Sequence, residues 1–245
     1  MQRFQQLNKI SMNWDILYKR AYTPFSKQPK ACIVAGKSGK FYAGVRVECV
    51  SFPITIPATQ AAVCHCLSEG DIPVRLIVKE NTLEQLDYWA KEFNLEVEIT
   101  DDIANISCSE RVVTVTEKET LPTLKKLLES AITPNSDFPV SALLFMGEKA
   151  VPGVNVETTD WTKGLCGERV ALSKALAMGF TTFTSMAVHT LKGEVSSPCG
   201  ACRQVLVQHL PQHPIDLYHA DGTLSRHQIP DLLPFSFSSS SLDAN

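Results

Sequence analysis

Long apolar runs, basic blocks and an apolar leader are all missing from this 245-residue sequence, and each absence removes a class of function. No stretch approaches the roughly 18 apolar residues needed to cross a bilayer, so no membrane partner is expected. The formal net charge is -3 and Lys and Arg are nowhere clustered, which argues against a surface that tracks nucleic-acid phosphates. The first ten residues, MQRFQQLNKI, lack the apolar core of a secretory signal. Cysteine, by contrast, is plentiful. The eight thiols are expected in a reducing, cytoplasmic compartment, where metal binding is a commoner use of cysteine than disulfides. A chain that is 44% hydrophobic and 20% charged has the composition of a soluble globular protein, and the lack of basic charge makes small molecules the expected partners.

The sequence repeats itself. GVRVE at Gly44 to Glu48 returns as GVNVE at Gly153 to Glu157, and IPATQAAV from Ile56 returns as LCGERVAL from Leu165, both 109 residues on. AYTPFS from Ala21 pairs with AITPNS from Ala131 at an offset of 110. Each half also predicts the same elements in the same order. An apolar-periodic helix (Trp14 to Ala21; Leu121 to Ala131) precedes a turn with Pro and a strand (Ala31 to Ala35; Val140 to Phe145). A hairpin turn (Lys37 to Lys40; Met146 to Lys149) leads to the GVxVE strand and a second helix (Ala58 to Ser68; Gly167 to Met178). This pattern predicts a layered α/β unit built twice, with helices packed on a sheet. The polar segment from Asp101 to Thr120 is the expected join, dividing the chain into 1-112 and 113-245, and SSSSLDAN at the end reads as a frayed tail.

The second half carries a metal motif. Cys166 opens one predicted helix, and Cys199 and Cys202 open another after Pro198, so three thiolates can converge from two helix N-termini. Helix ends supply partial positive charge and free N–H groups that favour thiolate, the form a metal needs. Zinc suits soft sulfur ligands in a tetrahedron, and no fourth ligand stands at the usual spacing, which leaves one position open for water. Glu168, two residues past Cys166, is placed to exchange protons with that water.

C-x-E at Cys166 to Glu168, followed by P-C-x-x-C at Pro198 to Cys202, resembles the signature of the zinc nucleobase deaminases in its three-cysteine form. The words CGER, PCGACRQVL, GVNVE, SDFPVSALL and LLPFSF narrow the resemblance to the cytidine deaminases that act on free nucleosides. It is strong from about 121 to 237 and degraded before that. It implies two tandem three-layer α/β/α domains, each with a mixed sheet flanked by helices, and one Zn²⁺ per chain, held in the C-terminal half by Cys166, Cys199 and Cys202. It implies hydrolytic attack at C4 of cytidine or deoxycytidine, with Glu168 carrying protons to N3 and to the departing amine. Uridine or deoxyuridine and ammonia are the products, a pyrimidine-salvage reaction.

By the same resemblance, Asn155 and Glu157 bind the ribose 3′-hydroxyl, Phe138 packs beside the pyrimidine, and backbone at Gly167 and Cys199 helps hold the base. Arg169 hydrogen-bonds the ligand sulfurs and offsets their charge. Read without the resemblance, Asn155 and Glu157 are solvent-facing positions of a strand, Phe138 a core residue and Arg169 a surface cation. The sequence departs from the family pattern at Gly167, usually Ala, Ser141, usually Gly, Asn135, usually aromatic, and Thr158, usually Asn.

The first half has Pro57, Thr59 and Arg46 where the second has Cys166, Glu168 and Asn155, so it is expected to bind no zinc. Cys64-His65-Cys66 reads as two core cysteines around a partly exposed histidine. By resemblance to larger two-domain cytidine deaminases, this half stands in for a subunit in a homodimer that imitates a tetramer, although those enzymes place the active half first. Phe237, near the LLP segment, is then a candidate cover for a bound base. Two other readings stay open: a deaminase of another aminated pyrimidine or of cytosine in RNA, and a catalytically inactive zinc protein used for assembly.

Overall fold

ACIVAG and VSALLFM are apolar at nearly every position, a pattern suited to a strand buried on both faces, and each becomes an inner strand. The computed structural model describes residues 12–238 and 242. Its first half runs α1 (Trp14–Arg20), β1 (Ala31–Gly36), β2 (Phe41–Val45), α2 (Ala58–Ser68), β3 (Pro73–Val78), α3 (Leu86–Glu92) and β4 (Glu96–Ile99). The second runs β5 (Val113–Thr114), α4 (Glu117–Leu127), β6 (Val140–Met146), β7 (Lys149–Val154), α5 (Gly167–Met178), β8 (Ser185–Thr190), α6 (Gly200–His209), β9 (Pro214–Tyr218) and β10 (Leu224–Gln228). The order β2-β1-β3-β4 in the first sheet recurs as β7-β6-β8-β9 in the second, which adds β5 and β10 at its edges. Both sheets are mixed: the hairpin strands and their neighbour pair antiparallel, and β3–β4 and β8–β9 pair parallel. The architecture is thus α/β, with two mixed sheets flanked by helices.

The repeat extends to individual hydrogen bonds. Val47 bridges Tyr22 and Ile56, and Val156 bridges Ile132 and Leu165 in the same senses. Glu48 accepts the amides of Phe25 and Ser26 and the Ser26 hydroxyl; Glu157 does the same for Asn135 and Ser136. The turns so gripped bring Lys27 and Asp137 to φ 57 and 48, a conformation side chains adopt only when their surroundings impose it. Gly44 and Gly153 serve one purpose: a Cβ there would sit 2.2 Å from Ala62 N or 2.3 Å from Gly167 O, so each lets a hairpin strand lie against its helix.

Helices α2 and α5 pack on their own sheets and on each other, with α5 also against β2. This explains why α2 is buried at every position and α5 everywhere except Arg169, as expected of a helix covered on all sides. One continuous core joins Ile33 and Ala62 of the first half to Ala171, Leu172 and Val205 of the second.

Three expectations need correction. Helix α4 begins at Glu117 rather than Leu121, because Glu119 accepts the amide and hydroxyl of Thr116 at 3.0 and 2.6 Å and starts the helix ahead of Pro122. Its last residues, Leu128–Ser130, tighten into a 3-10 turn. His65 is buried, not partly exposed, since α2 has no solvent face, and its Nδ1 lies 3.0 Å from Ala43 O. Cys64 and Cys66 are core residues, as expected. Apart from Ser238 and Leu242, the tail falls outside the described residues. Among the described residues, no helix is long and apolar enough to cross a membrane.

Candidate active site

Two loops end in helices at the same point. Cys166 is the N-cap of α5 and Cys199 that of α6, with Cys202 in the first turn of α6, so both helix N-termini face one another across the thiols. Cys199 Sγ lies 3.7 Å from Cys166 Sγ and 3.5 Å from Cys202 Sγ. Sulfurs on one tetrahedral zinc would be about 3.8 Å apart, given a Zn–S distance near 2.3 Å. Cys202 is buried, Cys166 half-buried and Cys199 exposed, so the cluster opens to solvent on one side. Hydrogen bonds from its neighbours make Cys199 the acidic thiol, while its proximity pushes Cys166 up to about 11. Three sulfurs this close to one another make a soft donor set of the kind a divalent cation completes. The donor set therefore fits a divalent metal.

Glu168 stands beside the sulfurs at 3% exposure, and its Oε2 has no hydrogen-bond partner. Burial pushes its carboxyl up to about 7, with the Cys199 charge adding to the shift. A carboxyl poised near neutrality in such a place can take up and release a proton at working pH. Arg169 brings Nη2 to 3.7 Å from Cys166 Sγ and is no surface cation. Gly167 abuts the neighbouring strand: a Cβ there would lie 3.2 Å from Val140 O and 3.4 Å from Asn155 N.

Asn155 and Glu157 do not simply face solvent. Asn155 closes a two-bond clamp, accepting Val140 N at 2.8 Å and donating to Phe138 O at 2.9 Å. That clamp fixes the backbone of half-buried Phe138, whose ring borders Gly193. Glu157 spends three acceptor positions on Asn135 and Ser136 and keeps one for another donor. The structure thus places Asn155 against Phe138 and Gly167, next to the thiols, and ties Glu157 to the turn before Phe138. Phe237 is tethered to α6, its carbonyl accepting Gln204 Nε2 at 2.7 Å, while its side chain is exposed.

Residues 115–213 match the family described as cytidine and deoxycytidylate deaminase zinc-binding region. A cytidine deaminase of Sporosarcina psychrophila is 35% identical over 120 residues, which cover 48% of this chain and 88% of that protein. The chain belongs to the cytidine deaminase family. A second member, from Halalkalibacterium halodurans, is 32% identical over 117 residues, covering 47% and 89%. The crystal structure of cytidine deaminase from Burkholderia pseudomallei aligns at 34% identity and a TM-score of 0.48, over 50% of this chain and all of that one. Nine of the ten candidate residues lie within the matched residues 115–213, and Phe237 lies beyond them.

Arg203, which sequence reasoning passed over, binds Pro198 O at 2.8 Å, Ser197 Oγ at 2.7 Å and Leu232 O at 3.0 Å. It fixes the loop into Cys199 to the C-terminal segment. A lone arginine beside Cys202 carries no periodic or motif signal of its own. In the first half the equivalent place is filled: Thr59 Oγ1 bonds Glu84 O and Arg46 pairs with Glu84, both at 2.6 Å.

Proposed function

We propose that this chain hydrolyses the exocyclic amine of free cytidine and deoxycytidine, releasing ammonia, with zinc held by Cys166, Cys199 and Cys202. The observation that carries this reading is the buried carboxylate of Glu168, its Oε2 without a hydrogen-bond partner, beside three convergent thiols, since a structural zinc has no use for it. Zinc bound there supplies the Lewis acidity that makes water a nucleophile near neutral pH. Glu168 would carry one proton of that water to N3, where it stays, and the second, given up as the new C4 hydroxyl becomes a carbonyl, to the leaving amine, a task its raised pKa suits. Arg169 offsets the third sulfur charge. Phe138 and the Gly167 backbone border the base, and the free acceptor position of Glu157 and the remaining amide capacity of Asn155 receive the sugar hydroxyl. A ligand hydroxyl at these two side chains is what separates a free nucleoside from a bare aminopyrimidine.

In this reading 113–245 is the catalytic domain and 1–112 a domain without a metal site, the pair forming half of a homodimer. Eight free cysteines suit the reducing cytoplasm. The test follows ammonia release from cytidine by the full chain and by Glu168→Gln. The variant should retain one equivalent of zinc and lose turnover, and chelator should abolish wild-type release; an active Glu168→Gln enzyme refutes the proton assignment. Zinc without turnover on any cytosine nucleoside would instead mark an assembly protein.

A further inference from the structure

The loop from Thr158 to Leu165 leaves Glu157 and delivers Cys166 to the sulfur cluster, so its position decides where the first ligand sits. Within the second half it is held at its ends, by the Val156–Leu165 bridge and by Asn135 Nδ2 on Thr158 O, and internally by Asp160, which accepts the Thr162 amide and hydroxyl. Its other anchors come from the first half. Gln60, buried on α2, donates Nε2 to Lys163 O at 2.8 Å, and Gly164 O is 3.4 Å away. Glu92, at the end of α3, accepts Thr159 N at 2.9 Å and Thr159 Oγ1 at 2.6 Å. Lys163 Nζ lies 6.0 Å from the Tyr88 ring.

These contacts have counterparts across the internal repeat, and the differences are informative. Val50 stands where Thr159 does, 109 residues earlier, and its amide is received by Gln208 of α6 at 2.9 Å. The exchange of acceptors between halves is therefore reciprocal. The acceptor that serves the metal-bearing half is a carboxylate that takes two bonds from Thr159, however, where the other is an amide that accepts one from Val50 and donates to Tyr22 Oη at 3.1 Å. Gln60 likewise matches Arg169, also 109 residues on. One of these equivalent side chains holds the loop that carries a ligand, and the other reaches the ligand sulfur itself.

We propose that Gln60 and Glu92 of the first half are positioning residues for the metal site of the second, setting the loop that places Cys166. This rests on the reading of the three thiols as a zinc site. It makes the half without a metal part of the apparatus that shapes the site, because a ligand displaced by even a fraction of an ångström weakens the whole shell.

The test is the rate at which the zinc-loaded full chain releases metal to excess chelator, read with a colorimetric indicator and no substrate, beside thermal denaturation. Gln60→Ala and Glu92→Ala should each speed release about tenfold or more, the usual effect of losing a group that orients a ligand. Glu92→Gln, which can still accept the amide and pair with the hydroxyl, should restore slow release. Gln208→Ala breaks the mirror-image contact on the other half and should leave release at the wild-type rate, even where it lowers the melting temperature. Wild-type release from both alanine variants, or equal acceleration by Gln208→Ala, overturns the positioning role and leaves the zinc site intact. A wild-type chain that takes up no zinc overturns the zinc reading and this role together.

Discussion

Lys174 is the least expected charge in the molecule: it lies on the inner face of α5 with its side chain 1% exposed. Its ammonium bonds Glu69, at the end of α2 in the other half, and Pro152 O at 2.7 Å. Glu69 has a second partner, Arg111, at 3.1 Å. The two ends of this pair are therefore unequal. Glu69→Ala strands a buried ammonium with one carbonyl, which should cost about 3–5 kcal/mol. In a chain of this size that lowers the melting temperature by roughly 6–20 °C. Lys174→Met leaves Glu69 paired with Arg111 and only Pro152 O unsatisfied, so about 1–3 kcal/mol is expected. The double variant Glu69→Ala/Lys174→Met removes both charges and should recover much of the loss, giving a coupling of about 2 kcal/mol or more in the cycle. Burial already depresses the Lys174 pKa despite the pull of Glu69, and without Glu69 it falls further. The unfolded chain then binds a proton that the folded chain lacks, so the deficit of Glu69→Ala should shrink as pH rises toward about 10. Thermal and urea denaturation of the four proteins reads all of this. A Glu69→Ala protein within about 1 kcal/mol of wild type, or one more stable than Lys174→Met, would refute the reasoning.

His65, at the position equivalent to Lys174, is held neutral: burial, with Lys174 nearby, pushes it down to about 3. The unfolded chain gains its proton below about 6.5 and the folded one does not, so stability should fall with pH by about 1.4 kcal/mol per unit from 6.5 toward 3. Urea midpoints at pH 7 and 5 should show this, with a shallower slope in His65→Gln; equal slopes in the two proteins would contradict it. Asn155→Ala should lose roughly 1–3 kcal/mol by freeing Val140 N and Phe138 O, together with nucleoside affinity. Wild-type stability in that variant would deny the clamp. Cys199→Ala should lose both bound zinc and turnover, and a full equivalent of zinc in metal analysis would remove Cys199 from the ligand set.

Much of the candidate site was legible because its signals are local. C-x-E and P-C-x-x-C specify chemistry through spacing along single helix starts, and the structure brings Cys166, Glu168, Cys199 and Cys202 together on those starts. The start of α4 was misplaced although Thr116 and Glu119 stand in the sequence as a capping pair, because the prediction followed apolar periodicity, which begins only at Leu121. The exposure of His65 was misjudged because one helix's pattern does not reveal a second helix on its outer face.

By itself the sequence determined the repeat, the order of elements and the metal motif, since periodicity, turn chemistry and ligand spacing act over a few residues. Only the tertiary structure decided that α2 and α5 share one core, that Asn155 and Glu157 are bound to backbone before they meet any ligand, and that Gln60 and Glu92 reach into the other half's loop. Those contacts join residues far apart in the chain. Hydrogen bonds between a side chain and a distant backbone leave no period or motif, and those of Gln60 and Glu92 exist only once the two halves have packed.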